Sequence, residues 1–80
     1  MTRVTVQYYA ILREQAGSSS EAVDTVAATA ADLYAELAAR HRFSLARSLM
    51  KVAINGEFAV WGTALNDGDH VVFIPPVAGG

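Results

Sequence analysis

The sequence predicts an α+β protein in which one main helix lies across one face of a mixed sheet of about five strands. Residues 3–9 alternate between apolar and polar side chains, and residues 29–41 repeat apolar side chains at helical spacing. Residues 70–74 are apolar almost throughout. These patterns are typical of a half-buried strand, an amphipathic helix and a strand buried on both faces. The 80 residues form one domain at most, residues 1–80.

The chain opens with a strand and a short helix. In residues 3–9, Val6 and Tyr8 share one face and Tyr9 falls on the other. Residues 10–16 are good helix formers, and Gly17 after them is a typical helix stop. The expected inward side chains of this helix are Ile11 and Leu12, and the expected outward ones are Arg13 and Glu14.

The middle of the chain contains the main helix. Residues 21–25 predict a short edge strand that pairs with residues 3–9. Thr29 is a typical N-cap residue, and Asp32 three positions later places negative charge in the first helical turn. We expect residues 43–49 to add a helical turn capped by Ser44.

The second half predicts three strands, at residues 50–54, 58–61 and 70–74. The first two are joined by Asn55-Gly56, the strongest hairpin signal in the chain, because both residues tolerate positive φ. The first and last strands of the chain are the most apolar, so we expect them to be central, adjacent and parallel. That arrangement is a β-grasp, or ubiquitin-like, roll.

Composition favours a mildly acidic cytoplasmic domain. The chain has a formal net charge of −2 and no cysteine. The absence of cysteine excludes disulfides and thiolate metal sites and suits a reducing compartment. A basic patch is the usual footprint of nucleic-acid binding, so nucleic acid is an unexpected partner. Apolar runs are too short for a membrane span, and the start lacks the pattern of a signal peptide.

The last six residues, 75–80, predict a thin projecting tail. Pro75 and Pro76 stop the preceding strand, because proline has no N–H and a locked φ. The side chains then shrink from Val77 to Ala78 to Gly79 and Gly80. Six extended residues reach at most about 20 Å. We expect a flexible tail that could enter a narrow channel and present the carboxylate of Gly80.

The other residues that could carry chemistry, two histidines and a pair of aspartates, are better explained by structural roles. We interpret His41 as a helix-end residue and His70 as the solvated start of a strand. Asp67 and Asp69 flank Gly68, which is typical of a turn rather than of paired catalytic carboxylates. The sequence has no cluster at metal-ligand spacing, so we predict no metal site. The best remaining reactive group is the terminal carboxylate, which is inert until activated, for example by adenylation.

Several motifs together resemble a known family, the small subunit of molybdopterin synthase, a sulfur carrier of the ubiquitin-like β-grasp group. The resemblance covers the whole chain, and its most specific part is the tail motif. Ile74 and Tyr9 stand where that family commonly has phenylalanine. The matching motifs are Val6-Gln7-Tyr8-Tyr9-Ala10, Leu12-Arg13-Glu14 with Gly17, Thr29-Ala30-Ala31-Asp32-Leu33, Val52-Ala53-Ile54-Asn55-Gly56, Leu65-Asn66-Asp67-Gly68-Asp69-His70-Val71, and Pro75-Pro76-Val77-Ala78-Gly79-Gly80.

The resemblance implies a carrier that binds no cofactor of its own. An E1-like activating enzyme would use ATP to adenylate the Gly80 carboxylate, and a sulfur donor would convert it to a thiocarboxylate (1-thioglycine). The carrier would then donate sulfur to a cyclic pyranopterin monophosphate precursor of molybdopterin. The implied assembly is a heterotetramer in which two small subunits flank a dimer of large subunits. Catalytic side chains would belong to the large subunit.

The residues themselves predict a docking surface near the tail. Tyr9, Phe58 and Ile74 are expected on the sheet face opposite Val6 and Tyr8, and exposed aromatic and aliphatic groups suit a partner interface. Arg13 is a candidate contact for the activating enzyme. The predicted partner-binding residues are therefore Tyr9, Arg13, Phe58, Ile74, Pro75, Pro76, Val77 and Ala78, with Gly79 and Gly80 as the reactive end.

Three other functions remain open at this point. The first is a carrier that supplies sulfur for thiamine thiazole or another acceptor, since such carriers also end in Gly-Gly. The second is a ubiquitin-like modifier that forms isopeptide bonds, although chain building would have only Lys51 as an acceptor. The third is a plain binding module whose tail has no function.

Overall fold

The computed structural model describes residues 1–76 and has the predicted α+β architecture. The elements in chain order are β1 (Thr2–Tyr8), α1 (Ala10–Ala16), β2 (Ser20–Thr25), α2 (Ala30–His41), a short 3₁₀ helix (Arg47–Leu49), β3 (Lys51–Ile54), β4 (Glu57–Ala59) and β5 (His70–Ile74). Within these residues the sheet has five strands in the order β2-β1-β5-β3-β4.

The first and last strands are central, adjacent and parallel, as predicted. Tyr8 in β1 pairs with Phe73 in β5, whereas the other strand pairs are antiparallel. β2 lies at one edge of the sheet, which confirms the edge strand predicted at residues 21–25. Since β5 has a neighbour on both sides, the chain leaves the middle of the sheet when this strand ends at Ile74.

The core lies between α2 and one face of the sheet. Tyr34 of α2 packs edge-on against Phe73 of β5, with ring centroids 5.2 Å apart. We call this the inner face of the sheet and the opposite one the outer face. Full burial of such side chains contributes about 1.5–3 kcal/mol each. The fully buried side chains include Val4, Val6, Tyr8, Leu12, Val23, Leu33, Leu37, Val52, Val71 and Phe73.

The predicted N-cap of α2 is confirmed. Thr29 Oγ1 accepts a hydrogen bond from the Asp32 backbone N–H at 3.2 Å. The predicted Ser44 cap is wrong, because the 3₁₀ helix follows Ala46 and has no side-chain cap. Ser44 and Gln15 instead form two hydrogen bonds, of 2.9 and 3.1 Å, which tie this loop to α1.

The Asn55-Gly56 hairpin is also confirmed, with φ of 53° and 86° at its two residues. The Asn55 amide donates to Asp69 Oδ1 at 2.9 Å, so Asp69 is a turn acceptor, as expected. The returning strand is shorter than residues 58–61. It ends at Ala59, and Trp61 stacks on Phe73 with ring centroids 5.9 Å apart.

One prediction about α1 is wrong. Leu12 is fully buried as expected, but Ile11 is 39% exposed. Ala10 has a φ of 51°, an uncommon value for a residue with a Cβ, so the chain turns sharply as the helix starts. That turn directs Leu12 into the core and leaves Ile11 on the surface beside the end of β5.

Candidate functional site

The candidate site is the tail root, residues 74–76, where the chain leaves the sheet. Ile74 pairs with Lys51 of β3, and Pro75 and Pro76 follow it. Neither proline can donate a ladder hydrogen bond, so the strand ends there. Pro75 is half-buried and Pro76 is exposed. The predicted site residues Val77, Ala78, Gly79 and Gly80 lie outside the described residues.

A groove of about 480 Å³ borders the tail root. Its walls come from α1, from the loop before the 3₁₀ helix and from the two prolines. The groove is mainly apolar with one cation and one carboxylate, a composition that suits a partner side chain. The residues that line it are Ala10, Ile11, Arg13, Glu14, Leu45, Pro75 and Pro76.

The outer face of the sheet carries the other predicted contacts. Strand pairing places Val72, Ala53 and Phe58 side by side across β5, β3 and β4. Successive side chains of a strand alternate between faces, so these residues lie opposite Phe73 and the core. Phe58 is 74% exposed, and Ile74 on the same face is half-buried. An aromatic ring this exposed gives the fold little stability and is free to bind a partner.

Tyr9 lies beside this face but not within a strand. It is the N-cap residue of α1 and is 44% exposed. Its hydroxyl accepts a hydrogen bond from Gln7 Nε2 at 2.7 Å. Arg13, one turn later, is exposed on the groove rim. The structure thus places all the described candidates around the tail root, and their partner binding stays a prediction.

Sequence reasoning missed several residues near the tail root. Ile11 and Leu45 line the groove, and Lys51 is paired with Ile74. The Lys51 Nζ lies 5.8 Å from the centre of the Phe58 ring. Lys51 alternates with the buried Val52, so its side chain lies on the outer face. Its neighbours, however, depend on strand register, which the sequence pattern alone does not give.

A polar cluster away from the groove joins β1, β2 and the end of α2. The Tyr8 hydroxyl donates to Glu21 Oε2 at 2.7 Å, and His41 Nε2 lies 2.7 Å from the same oxygen. His41 therefore contacts the edge strand as well as ending the helix. Arg40 Nη1 lies 3.6 Å from Glu21 Oε1. This cluster holds β2 to α2, and we assign it to stability rather than to the candidate site.

Burial and the hydrogen bond to Glu21 raise the pKa of Tyr8, and burial raises the pKa of Tyr34. In the unfolded chain tyrosine has a pKa of about 10. Above that pH the folded state therefore holds protons that the unfolded state has lost, so the free energy of unfolding should fall as pH rises. Urea denaturation between pH 9 and pH 11 should show this decline, with a shallower slope for Tyr8→Phe.

The matched control for this alkaline slope is Tyr9→Phe, which removes an exposed tyrosine. We expect it to keep the slope of the unmodified protein. If Tyr8→Phe also kept that slope, the buried Tyr8 proton would not contribute to the alkaline loss of stability.

Two other kinds of site receive no support from the described residues. Among them, no group of three or more His, Cys, Asp or Glu side chains is placed to hold a metal ion. In the part of the chain that the structure describes, no helix is both long enough and apolar enough to cross a membrane.

The fold and the tail root define the class of this protein, a ubiquitin-like β-grasp domain whose chain leaves the sheet from a central strand. The model of the ThiS family matches residues 6–80. The chain belongs to the ThiS family, and it is a ubiquitin-like sulfur carrier.

Solved structures agree with this assignment. The chain is 32% identical to SAMP1 from Haloferax volcanii, covering 98% of this chain and 99% of that one with a TM-score of 0.81. It is 31% identical to a putative molybdopterin converting factor, subunit 1, from Pyrococcus furiosus, covering 96% and 100% with a TM-score of 0.81. A chain of the BexX/CysO complex of Amycolatopsis orientalis is 28% identical, covering 96% and 99% with a TM-score of 0.70.

Proposed function

We propose that this protein is the sulfur-carrier subunit of molybdopterin synthase. The observation that carries the proposal is the central position of the tail root, bordered by the groove and by the exposed ring of Phe58. That arrangement lets a partner bind the domain on two sides while the last residues enter its active site. The similarity to a putative molybdopterin converting factor, subunit 1, supports this pathway.

The chemistry we propose takes place at the Gly80 carboxylate. ATP and an E1-like activating enzyme convert the carboxylate to an acyl adenylate and release pyrophosphate. A donor that delivers sulfur at the oxidation level of sulfide, such as hydrosulfide, attacks the acyl carbon, displaces AMP and leaves a thiocarboxylate, which splits one difficult substitution into two easier steps. The thiocarboxylate sulfur attacks a carbon of a cyclic pyranopterin monophosphate precursor and displaces an oxygen substituent. Water then cleaves the resulting thioester, which leaves the sulfur on the precursor and restores the Gly80 carboxylate for another activation.

Two protein partners follow from this scheme. The large subunit of molybdopterin synthase would form a heterotetramer with two copies of the carrier and supply the catalytic side chains. The activating enzyme would bind the same tail at a different stage, with Arg13 as a candidate contact. The similarity to a chain of the BexX/CysO complex supports the general idea of a partner subunit.

Replacing Phe58 by alanine should weaken binding to the large subunit without unfolding the carrier. The ring is 74% exposed, so the free energy of unfolding should change by less than about 0.5 kcal/mol. An aromatic residue at the centre of an interface typically contributes 1 kcal/mol or more, so Kd should rise about 10-fold. Isothermal titration calorimetry and urea denaturation measure the two quantities.

Val26→Ala is the matched control for the Phe58 variant. Val26 is 84% exposed and follows β2 at the end of the sheet away from the tail root. We expect this variant to bind like the unmodified protein. Equal affinities of the unmodified protein, Phe58→Ala and Val26→Ala for the large subunit would show that Phe58 does not contribute to this interface.

A second candidate function is a ubiquitin-like modifier that forms isopeptide bonds. The similarity to SAMP1 from Haloferax volcanii favours it, because a related structure is described as small archaeal modifier protein 1. Both functions need the Gly80 acyl adenylate, but they differ in the nucleophile. A carrier transfers sulfur, whereas a modifier forms an amide with a lysine.

Reconstitution tests the proposed pathway. Carrier bearing the thiocarboxylate would be mixed with the large subunit and the cyclic pyranopterin monophosphate precursor. We expect dithiolene formation with return of the carrier to its carboxylate form. If the loaded carrier supplied a thiazole-forming enzyme or acylated lysines instead, and not this precursor, the molybdopterin assignment would be wrong.

A further inference from the structure

Positive charge is concentrated around the tail root, although the protein as a whole is negative. The chain has eight acidic and six basic residues. Half of the basic residues, Arg13, Arg47 and Lys51, lie beside the end of β5. We call these three residues the cationic collar.

The collar residues approach the tail root from different sides. Arg13 lines the groove together with Pro75 and Pro76. Lys51 lies on the outer face, where its backbone pairs with Ile74. The Arg47 guanidinium lies on the inner side, 5.8 Å from the centre of the Trp61 ring, which in turn stacks on Phe73.

Other carboxylates lie at the opposite end of the sheet, whereas Glu14 lines the groove beside the collar. Asp67 accepts a hydrogen bond from the Arg3 backbone N–H, and Asp24 lies 3.8 Å from the Arg3 side chain. Asp32 does not belong to this distal group, because it lies in the first turn of α2, where the Ala31 backbone N–H donates to the Trp61 carbonyl at 2.9 Å. The carboxylates of Asp24 and Asp67 therefore lie at the opposite end of the strands from the collar.

The collar residues differ in their pairing from Arg3 and Arg40 but not from Arg42, which also forms no ion pair within residues 1–76. Arg3 pairs with Asp24, and Arg40 pairs with Glu21 and Glu36. Within residues 1–76, none of the collar residues forms an ion pair with a carboxylate. Arg47 and Lys51 instead lie over the rings of Trp61 and Phe58. Such cation–π contacts orient the cations while leaving their charge available to a partner.

We propose that the cationic collar docks against an acidic surface around the entrance to the large subunit's active site. This inference rests on the proposed function and specifies the chemistry of that partner's surface. Complementary charge around the tail root would orient the carrier during encounter, so that the tail meets the channel first. The apolar ring of Phe58 would then supply most of the affinity, with Lys51 beside it.

Charge-reversal variants test the collar against the large subunit of molybdopterin synthase. Arg47→Glu and Lys51→Glu each change the net charge by the same amount as Arg3→Glu, which reverses a cation at the opposite end. At low ionic strength each collar variant should lower the association rate about 10-fold, whereas Arg3→Glu should lower it much less. In about 0.5 M salt the difference should vanish, because the Debye length is then about 4 Å.

Stopped-flow association and thermal melting together separate the outcomes. The docking role of the collar would be supported if the folded collar variants associated slowly with the large subunit while the Arg3→Glu variant associated at nearly the normal rate. Equal slowing by all three variants would mean that only net charge matters and would overturn it. Unchanged rates in the collar variants, with binding still weakened by Phe58→Ala, would overturn the collar but not the proposed function. No association of the unmodified protein at any salt concentration would overturn both.

Discussion

Deleting Gly80, or appending one alanine after it, is expected to abolish sulfur transfer while leaving the fold intact. The tail root lies in the middle of the sheet, and the number of residues after Pro76 sets the maximum reach of the last carboxylate. One extended residue spans about 3.3–3.6 Å. A misplacement of the reacting group by about 1 Å can already lower the rate about 100-fold. A shift by the length of one residue should therefore abolish sulfur transfer.

The matched control for this deletion adds the same alanine before Met1. Met1 is 91% exposed and precedes β1 at the end of the sheet away from the tail root. That variant should transfer sulfur at the normal rate, and all variants should keep the same circular dichroism spectrum and melting temperature. Sulfur transfer by the C-terminally extended protein would contradict the role of Gly80 as the atom-carrying end.

Replacing Phe73 by alanine is expected to cause the largest loss of stability. Phe73 is fully buried in the central strand and contacts the rings of Tyr34 and Trp61. Truncating a buried phenylalanine typically costs about 3–5 kcal/mol. A domain of this size has a total stability of about 4–12 kcal/mol, so the variant should be close to unfolding. The midpoint of urea denaturation, followed by circular dichroism, measures the loss.

The neighbouring variant Ile74→Ala provides the comparison. Ile74 is half-buried on the outer face, so its truncation should cost well under half as much stability as that of Phe73. We expect Ile74→Ala to weaken partner binding instead. Equal losses of stability for the two variants would mean that the outer face is packed as tightly as the core.

The sequence predicted those elements whose signals are local. The bounds of β5 at residues 70–74 and the positive φ of Asn55 and Gly56 follow from single stretches of apolar or turn residues. The Thr29 cap is equally local. Even the central pairing of β1 with β5 was predictable, because the most apolar strands of a small sheet lie in its middle.

The remaining features depend on contacts between distant residues. The exposure of Ile11 follows from the positive φ of Ala10, which no residue preference at that position indicates. The contact of His41 with Glu21 joins residues that are 20 positions apart. The collar exists only because the fold brings Arg13, Arg47 and Lys51 to one end of β5. The sulfur acceptor depends on the partner's active site, which no residue of this chain encodes.

Intact-mass spectrometry tests the sulfur-carrier function most directly. The protein would be incubated with ATP, an E1-like activating enzyme and a sulfur donor, with a reaction lacking ATP as the control. Replacing one terminal oxygen by sulfur should raise the mass by about 16 Da, as expected for an acyl-intermediate route. The shift should be absent without ATP and in the variant that lacks Gly80. An unchanged mass in the complete reaction, or a shift retained without Gly80, would contradict the assignment of the carrier site to Gly80.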